Sequence, residues 1–384
     1  MPGLLDNVDP DGLLEYSVVY TDRSVNHMSA KFQQVMWNLH ETLTDVYQAH
    51  HAVIVPGSGT FGMEAVARQF GQDKHCMVVR NGWFSFRWTQ IFEQGKISSK
   101  QTVHRAQSLN DETQSPFAPV AIEELVASIA EQKPDIVCAP HVETSAGLML
   151  PDNYIKAVTA AVHAYGGLFV LDCVASGTAW IDMKALDVDV LVTAPQKGWS
   201  GSPCAGVVML SEHAYKAMQN TQSNSFSMDL KKWSQIMEAY LGGKHAYHAT
   251  MPTDGLIVFR DVMNEIAEFG FHKAKQRQAE LGQRVRAVLH EAGFISVAAD
   301  GFHAPGVAVY YTDNDELHTG KAFAAAGLQI AAGVPLEVGE PADYKTFRIG
   351  LFGLDKLADV DAAVERFTRS FNKVQAAIGQ PASA

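Results

Sequence analysis

Leu168-Phe-Val-Leu-Asp172-Cys-Val and Asp189-Val-Leu-Val-Thr-Ala-Pro-Gln-Lys197-Gly are two short runs rich in valine and leucine. The first run carries a carboxylate at its end, and the second carries a lysine. Continuous apolar runs of this length, bounded by Gly or Pro, are typical of strands buried on both faces of a parallel sheet. Because chemistry in such sheets lies where the strands end, Asp172 and Lys197 are the first candidate site residues.

An aspartate and a lysine at neighbouring strand ends suit pyridoxal phosphate (PLP) particularly well. This cofactor needs an amine that forms a Schiff base with its aldehyde, and a carboxylate that keeps its ring nitrogen protonated. Most lysines are solvated surface charges, and most aspartates after strands cap helices or close turns. The surroundings of Lys197 favour the functional interpretation, because the small residues on both sides, Thr193-Ala-Pro-Gln and Gly198-Trp-Ser-Gly-Ser-Pro, let the backbone approach a ligand closely.

Length, charge and cysteine content exclude several classes of protein. A chain of 384 residues can bury a large core and is expected to form two domains. Its net charge of −12 argues against nucleic-acid binding. No apolar run reaches the length of a membrane span, and the opening residues do not resemble a signal peptide. The four scattered cysteines indicate core thiols in a reducing cytoplasm, and the histidine spacings predict no metal site.

Strand-like and helical patterns alternate over the first part of the chain. We predict six strands, at 51–55, 77–80, 136–140, 168–174, 190–194 and 205–210, and helices that include 62–70, 122–131 and 154–165. Strands separated by helices imply βαβ crossovers, and therefore an α/β fold with a mainly parallel sheet covered by helices.

The pattern changes at about residue 255. A long charged helical stretch, 264–292, precedes short strands at 306–312 and 347–352, which predicts a smaller C-terminal α+β domain. The predicted units are an N-terminal arm at 1–25, a large domain at 26–254 and a small C-terminal domain at 255–384.

The glycine-rich loop Pro56-Gly-Ser-Gly-Thr-Phe-Gly62 joins the first predicted strand to a helix. It matches the Gly-x-Gly-x-x-Gly dinucleotide motif, so a nicotinamide-dependent oxidoreductase is a rival function. Physically, the loop indicates only that an anion binds at a helix N-terminus. A monophosphate is favoured, because the next strand ends at Arg80-Asn81 without the acidic residue that would bind a ribose hydroxyl. Ordinary turn chemistry is the third interpretation.

An aromatic cluster, Asn81-Gly-Trp-Phe84-Ser-Phe-Arg-Trp88, follows that next strand. An aromatic ring at a strand end can stack on a pyridine ring, although core packing is the default for most of these side chains. At most one of these rings needs to contact a cofactor.

Several motifs in chain order resemble those of the class V PLP-dependent aminotransferases, and within them the alanine/serine:glyoxylate branch. They are Ser58-Gly-Thr60 with Met63-Glu-Ala65, Asn81-Gly-x-Phe84, His141-Val-Glu-Thr144-Ser-Ala-Gly147, Asp172-Cys-Val174-Ala-Ser176, Gln196-Lys197 and Arg348-Ile-Gly350. The resemblance implies fold type I of the aspartate aminotransferase superfamily, with a mainly parallel seven-stranded sheet in the large domain. It also implies a homodimer whose active sites lie at the subunit interface.

The resemblance also implies a role for each matched residue. Lys197 resembles the Schiff-base lysine, and Asp172 the partner of the pyridine nitrogen. The remaining implied roles are the two ring faces for Phe84 and Val174, the phenolic oxygen for Thr144, the phosphate and its surroundings for Ser58, Gly59, Thr60 and Gln196, the neighbouring subunit's phosphate for Tyr247 and Thr250, and the substrate carboxylate for Arg348.

The N-terminal segment departs from this branch, whose members usually begin with a Gly-Pro-Gly-Pro turn that lines the substrate pocket. This chain has Tyr16-Ser-Val-Val-Tyr20-Thr-Asp-Arg23-Ser instead. Tyr20 and Arg23 are therefore candidate substrate contacts, with a surface or interface role as the alternative. A hypothetical role for Arg23 is to bind a second acidic group on the substrate.

Together these features predict a cytoplasmic PLP-dependent aminotransferase. It would move an amino group from a small L-amino acid, such as alanine, serine or an aspartate-like acid, to glyoxylate, pyruvate or another small 2-oxo acid. A lyase or desulfurase on the same fold is the runner-up, although Gln196 stands where desulfurases typically have His. The nicotinamide oxidoreductase is a more distant rival. A regulator that binds the cofactor without catalysis is the least favoured alternative, because Arg348 would then have no role.

Overall fold

The computed structural model describes residues 13–379. The first twelve residues of the predicted arm and the last five of the predicted small domain lie outside the described residues. The strands are β1 His51–Pro56, β2 His75–Arg80, β3 Lys100–Arg105, β4 Gln107–Ser108, β5 Phe117–Ala118, β6 Ile136–Pro140, β7 Val142–Glu143, β8 Leu148–Met149, β9 Leu168–Asp172, β10 Val190–Thr193, β11 Ala205–Leu210, β12 Val307–Tyr311, β13 Ala331–Ala332 and β14 Thr346–Gly350.

The helices alternate with these strands through most of the chain. They are α1 Ala30–Tyr47, α2 Gly59–Phe70, α3 Trp83–Gln94, α4 Ile122–Gln132, α5 Asp152–His163, α6 Glu212–Gln219, α7 Leu230–Leu241, α8 Thr253–Phe269, α9 Phe271–Glu291, α10 Asp315–His318, α11 Lys321–Ala325, α12 Leu354–Leu357 and α13 Val360–Ala377.

A seven-stranded sheet forms the centre of the molecule, in the order β1-β11-β10-β9-β6-β2-β3. The pairs from β10 to β3 are parallel, whereas β11 is antiparallel to both of its neighbours. The prediction of a mainly parallel seven-stranded sheet is therefore confirmed. All six strands predicted in the first part of the chain are present, and their ends differ from the prediction by at most two residues.

The two runs that opened the sequence analysis are adjacent parallel strands in the middle of this sheet. Residues of β9 and β10 pair in register, with Val192 opposite Asp172, and both strands are buried. Burial on both faces explains why their sequences are continuously apolar and do not alternate. Because the strands run the same way, Asp172 and the segment that leads from Thr193 to Lys197 emerge at the same edge of the sheet.

A small antiparallel sheet, in the order β12-β14-β13, forms with α9 and α13 a second layered unit. The predicted single helical stretch 264–292 is wrong in one respect, because it is two helices, α8 and α9, separated at Gly270. Gly270 has φ of 99°, a left-handed value that a residue with a side chain rarely adopts. This glycine ends one helix and starts the next.

Buried apolar side chains form a main cluster around the central sheet and a second cluster around the small sheet. The first extends along the chain from Val25 to Ile266, and the second from Ala274 to Val374. The domain limits at 25 and 254 stay predictions. Within the described residues, no helix is both long and apolar enough to cross a membrane.

Candidate active site

A cavity of about 240 Å³ lies at the carboxyl ends of β9 and β10. It is lined by Ser58, Gly59, Thr60, Met63, Phe84, Arg87, Pro140, Val142, Thr144, Asp172, Val174, Ala175, Gln196 and Lys197. Nine of the residues that the sequence analysis singled out are therefore brought together, although they are spread over five separate segments of the chain. This juxtaposition follows from the parallel arrangement of the strands, since each βα loop ends at the same edge.

Asp172 is the most buried ionisable group of this cavity, and its residue is 7% exposed. Its Oδ1 accepts a hydrogen bond from the Val174 backbone N–H at 3.0 Å. Burial raises the pKa of Asp172 to about 7, and the Glu143 charge acts in the same direction while Arg87 opposes it. The ionised carboxylate is thus costly here unless a cation lies beside it, which is what a protonated ring nitrogen would supply.

Lys197 follows β10 in the loop 194–201, and its side chain enters the same cavity. The Nζ atom lies 5.6 Å from the centroid of the Phe352 ring. Burial lowers the pKa of the Lys197 amine, and the positive charge of Arg348 lowers it further. Both effects favour the neutral amine, which is the nucleophilic form.

The N-terminus of α2 forms one wall of the cavity. Ser58 caps this helix, but its side chain accepts no hydrogen bond from the helix backbone. The first-turn N–H groups of a helix have no partner within it and attract anions, so Gly59 and Thr60 stand where a phosphate would bind. A Cβ added at Gly59 would lie 2.8 and 2.9 Å from the two methyl groups of Val174, so the helix can approach β9 this closely only with glycine here.

Two further polar residues lie at this wall. Gln196 lines it, and its amide NH₂ group is the donor that could bind a phosphate, whereas its buried Oε1, an acceptor, has no hydrogen-bond partner among the described residues. Arg87, which the sequence analysis did not select, donates from Nη1 to Thr60 Oγ1 at 3.0 Å. Arg87 lies in a run dominated by aromatic residues, but its spacing from Phe84 places both on one side of α3, and that spacing is the signal that could have identified it.

Phe84 is held in the cavity wall by a buried carboxylate that the sequence analysis mentioned only as part of a motif. Glu143 is fully buried and accepts five hydrogen bonds, from the backbone N–H of Phe84, Ser85 and Ser145 and from both serine hydroxyls. A carboxylate at the first turn of α3 also interacts favourably with the helix dipole. Glu143 therefore fixes the start of α3, and with it the position of the Phe84 ring.

Arg348, on β14 of the small sheet, lies beside the cavity wall at Phe84 but does not itself line the cavity. Its guanidinium carbon lies 5.7 Å from the centroid of the Phe84 ring, on which the guanidinium of Arg87 also lies, at 5.4 Å. The Nε of Arg348 donates to the backbone oxygen of Ala332 at 2.8 Å, and among the described residues this is its only hydrogen bond. Burial lowers the pKa of Arg348, while Glu143 and Tyr344 act in the opposite direction. Both terminal NH₂ groups thus remain available for a bidentate ligand.

Besides Arg348, four predicted site residues do not line the cavity of their own chain: Tyr20, Arg23, Tyr247 and Thr250. The Tyr20 hydroxyl donates to the backbone oxygen of Met251 at 2.8 Å, and Tyr247 and Thr250 share a hydrogen bond of 3.2 Å. Arg23 is exposed and has no hydrogen-bond or ion-pair partner among residues 13–379. These residues belong to one surface, because the segment from Tyr20 to Val25 packs against the segment from Met251 to Asp254.

The residues of the cavity fit pyridoxal phosphate. A buried carboxylate lacks a paired cation, burial favours the neutral form of an amine, and two donor groups, the Arg87 guanidinium and the Gln196 amide NH₂, line the cavity together with a helix N-terminus. Phe84 and Val174 provide apolar surface between these two polar ends. A dinucleotide fits the glycine loop less well than a monophosphate does. The whole cavity that this loop lines has a volume of only about 240 Å³, which is small for a dinucleotide.

Comparison with known proteins gives one family and one fold. The sequence profile of the family "Aminotransferase class-V" matches residues 12–361. A 2-aminoethylphosphonate–pyruvate transaminase from Salmonella schwarzengrund (strain CVM19633) is 25% identical over 325 residues, which are 83% of each chain.

Solved structures of similar fold include an alanine–glyoxylate aminotransferase from Nostoc sp., with a TM-score of 0.75, 23% identity, and coverage of 91% of this chain and 89% of that one. A pyridoxamine–pyruvate aminotransferase from Mesorhizobium loti has a TM-score of 0.74 at 17% identity, and the alignment covers 95% of this chain and 88% of that one. At these identities the structural likeness establishes the fold alone.

Proposed function

The chain belongs to the class V aminotransferases, whose cofactor is pyridoxal phosphate, and we propose that it transfers the amino group of a small L-amino acid to a small 2-oxo acid such as glyoxylate or pyruvate. One observation carries the proposal: Lys197 and Asp172 line a single cavity that also contains an anion-binding helix N-terminus. When bound, the cofactor supplies an aldehyde that reacts with amines and a ring that takes up electrons.

Lys197 has two tasks in the proposed reaction. Its amine would attach the cofactor covalently, and the lowered pKa of Lys197 favours the neutral, nucleophilic form of this amine. With a substrate amine in its place, the free Lys197 amine would act as the base that removes the α-proton of the substrate. A single amine suits both tasks because burial disfavours its charged form.

The other cavity residues position the cofactor. Asp172 pairs with the ring nitrogen, Phe84 and Val174 contact the two faces of the ring, and Thr144 binds the phenolic oxygen. Ser58, Gly59, Thr60 and Gln196 bind the phosphate, and we add Arg87 to this set. The Arg87 guanidinium brings a positive charge to the Thr60 hydroxyl, where a phosphate would otherwise meet only neutral donors.

Arg348 binds the carboxylate of the substrate. Its position near Phe84 and its effect on the Lys197 amine both indicate that it lies beside the reacting end of the cavity. Its two free NH₂ groups form the planar fork that a carboxylate accepts. Tyr20 and Arg23 are proposed as further substrate contacts, with Arg23 binding a second acidic group.

A homodimer is part of the proposal. Tyr247 is 57% exposed and its hydroxyl, with that of Thr250, lies on a surface that does not line the cavity of the same chain. These hydroxyls are proposed to bind the phosphate in a neighbouring subunit. A cytoplasmic location is also proposed, and it is supported by the four free thiols at Cys76, Cys138, Cys173 and Cys204.

An aminophosphonate is the second candidate for the amino donor. The specific observation in its favour is the 25% identical relative, which is named for 2-aminoethylphosphonate and pyruvate. Two guanidiniums, Arg87 and Arg348, lie within 6 Å of the Phe84 ring centroid, so with Arg87 at the cofactor phosphate, Arg348 is left to bind a phosphonate. The donor assay below therefore includes this compound.

The test combines covalent labelling with single-turnover spectroscopy of the purified, cofactor-loaded protein. Borohydride reduction followed by peptide mass spectrometry is expected to place the cofactor on Lys197. The Lys197→Ala variant should lose the label and at least about 1,000-fold of the activity, whereas Lys232→Ala, an exposed lysine on α7, should retain both.

Alanine, serine, aspartate and 2-aminoethylphosphonate are then added singly. A transaminase converts the cofactor to its amino form without an acceptor, and glyoxylate or pyruvate restores the original spectrum. Release of product with no change of cofactor form would indicate the lyase instead. Labelling at another lysine, or no labelling, would contradict the role of Lys197.

A further inference from the structure

A large cavity lies away from the candidate active site. It has a volume of about 840 Å³ and includes His163, Asp189 and His213 in its lining. Asp189 immediately precedes β10, whereas Lys197 follows it, so the two cavities lie at opposite ends of the same strand. The proposed transamination uses none of these three residues.

His163, Asp189 and His213 form a compact group of metal-ligand type. The Nε2 of His163 lies 2.8 Å from one carboxylate oxygen of Asp189, and the Nδ1 of His213 lies 3.0 Å from the other. One ligand atom from each residue lies within 4.8 Å of the other two. Two imidazoles and one carboxylate, with further positions open, are a common ligand set for divalent transition metals.

Asp189 is held in place independently of the two histidines. Its Oδ2 accepts a hydrogen bond from the Phe169 backbone N–H at 2.8 Å, and the residue is 2% exposed. A ligand carboxylate oriented by backbone donors is typical of established metal sites, where such partners fix the geometry of the ligands. The carboxylate is therefore fixed in position before any cation arrives.

The two histidines complete the group from the solvent side. The side chains of His163 and His213 are 32% and 55% exposed, so both can shift by the fraction of an ångström that metal bonds of about 2.0–2.1 Å require. A neutral imidazole can carry its proton on either ring nitrogen, which frees the nitrogen that faces Asp189. His163 is also the last residue of α5, where the helix dipole favours a cation.

The cavity around the group is acidic. Four more carboxylates line it, against one lysine: Glu41, Asp45, Asp187 and Glu212, with Lys184. Such a concentration of negative charge raises the local concentration of cations.

We propose that His163, Asp189 and His213 bind one divalent transition-metal ion per chain, Zn²⁺ being the representative ion, and that this ion links α5, β10 and α6. Imidazole ligands favour Zn²⁺ over Mg²⁺ and Ca²⁺, which prefer oxygen ligands. The ligands lie far apart in the sequence, which is why no short motif predicted them. The inference is independent of the proposed transamination.

The experiment is calorimetric titration of the cofactor-loaded protein with ZnCl₂, in excess Mg²⁺. We expect saturable binding of one Zn²⁺ per chain and a higher melting temperature with Zn²⁺. Binding should weaken by about tenfold or more in His213→Ala and in His163→Ala, and remain unchanged in His272→Ala, an exposed histidine on α9. Addition of Co²⁺ in place of Zn²⁺ should give ligand-field bands that His213→Ala lacks.

His213 is the main variant because its exposed side chain can be removed without unfolding the protein, and circular dichroism checks this. The absence of saturable Zn²⁺ binding would overturn the proposal, as would wild-type affinity in His213→Ala. The Lys197→Ala variant should bind Zn²⁺ normally. If it does not, the ion binds at the cofactor cavity and the proposal is wrong, whatever the outcome of the transamination assays.

Discussion

The Asp172 side chain is buried, yet its proposed role, pairing with a protonated ring nitrogen, requires a charged carboxylate. Its pKa is raised to about 7 chiefly because the carboxylate is removed from water, and the nearby Glu143 charge adds to this effect. The side chain is thus poised to pair with a cation, and a protonated ring nitrogen in the cavity would restore its ionised form. Cofactor and carboxylate are expected to stabilise each other.

Replacing Asp172 by asparagine tests this pairing. Asparagine retains the size of the side chain and an oxygen that can accept the Val174 N–H, but it carries no charge. We expect kcat to fall by about 100-fold or more, because the ring nitrogen loses the carboxylate that keeps it protonated. Cofactor affinity should change much less, since the phosphate subsite is intact.

The measurements are kcat and cofactor Kd, with Asp152→Asn, an exposed residue of α5, as the control. An Asp172→Asn variant with near wild-type kcat would show that the carboxylate does not tune the cofactor.

The sequence was sufficient to select Lys197 and Asp172, which line one cavity, but not every residue around them. Both follow apolar strand runs, and strand ends can be recognised from one chain. Glu143 and Arg87 could not be assigned in this way, because their importance depends on partners distant in sequence: Glu143 binds the backbone of α3, and Arg87 reaches Thr60 on α2. An isolated acidic or basic residue carries no pattern that reveals such contacts.

Helix α2 and strand β11 approach each other through two glycines. A Cβ added at Gly206 would lie 2.6 Å from both the backbone nitrogen of Gly62 and the backbone oxygen of Ser58. These atoms belong to the N-terminus of α2, which forms the proposed phosphate wall. Since backbone atoms cannot rotate away as a side chain would, a larger residue at 206 must displace the start of the helix.

Gly206→Ala is therefore expected to reduce both stability and cofactor affinity. The overpacking should cost about 1–3 kcal/mol of unfolding free energy, and displacement of Ser58 and its neighbours should weaken cofactor binding by about tenfold. Urea denaturation and cofactor titration measure the two effects. Gly242→Ala is the matched control, because its nearest neighbour would lie at 3.4 Å, an ordinary contact. Equal effects in both variants would refute the close-approach argument.

Helix α1, strand β1 and helix α7 meet at a pair of histidines. The Nδ1 of His51 lies 3.1 Å from the Nε2 of His40, and its Nε2 lies 3.0 Å from the Ser234 hydroxyl. Burial, with the neighbouring histidines as a second cause, lowers the pKa of His40 to about 4 and that of His51 to about 3. Both residues are therefore neutral in the folded protein at pH 5.

This contact predicts a stability loss in mild acid. Below the ordinary histidine pKa of 6.5, His40 and His51 bind protons in the unfolded chain but stay neutral in the folded protein. The free energy of unfolding therefore falls as the pH drops from about 6.5 to the folded-state pKa values of about 4 for His40 and about 3 for His51. The decline between about pH 7.5 and 5 should be smaller in His51→Gln, by about 1–2 kcal/mol.

Urea midpoints at both pH values provide the measurement, with His272→Gln as control. His141, whose pKa is also lowered to about 3 by burial, remains in every variant and contributes equally to each. An identical decline in wild type and His51→Gln would exclude His51 as the source.

Two differences between predicted and observed elements have physical causes. Strand β3, Lys-Gln-Thr-Val-His-Arg, was not predicted because it lies at the edge of the sheet and is only partly buried, so its sequence lacks an apolar run. The stretch 264–292 is continuous in helical periodicity, and only the φ of 99° at Gly270 reveals the break. A polar edge strand thus gives no apolar run to recognise, and a break at a single residue leaves the helical periodicity almost unchanged.

At the scale of the molecule, the small sheet places one arginine beside the wall of the cavity in the large domain. The side chain of Arg348 on β14 lies near Phe84 on α3, more than 250 residues earlier in the chain. The segment from Tyr20 to Val25 contacts the segment from Met251 to Asp254 in a similar long-range pairing. Neither contact can be predicted from the local sequence pattern, because each depends on how segments that are distant in sequence pack together in the folded chain.

The exposed Tyr247–Thr250 surface leads to a test of the proposed homodimer. If these hydroxyls bind the phosphate of the neighbouring subunit, a defect at Lys197 and a defect at this surface affect different sites. A mixed dimer of Lys197→Ala with the double variant Tyr247→Phe/Thr250→Ala would then contain one site with both defects and one site with neither. If the hydroxyls serve their own chain, each site of the mixed dimer carries one defect.

Co-expression of the two variants with different affinity tags produces the mixed dimers, and each variant alone gives the baseline at limiting cofactor. For the arrangement between subunits we expect recovery to about one quarter of wild-type activity, because random pairing makes about half of the dimers mixed and each mixed dimer has one intact site. A mixture of Lys197→Ala with Asp172→Asn should show no recovery, since both residues line the same cavity of one chain. Activity no higher than the baseline in the first mixture would place Tyr247 and Thr250 outside the neighbouring site, and the proposed dimeric active site would have to be abandoned.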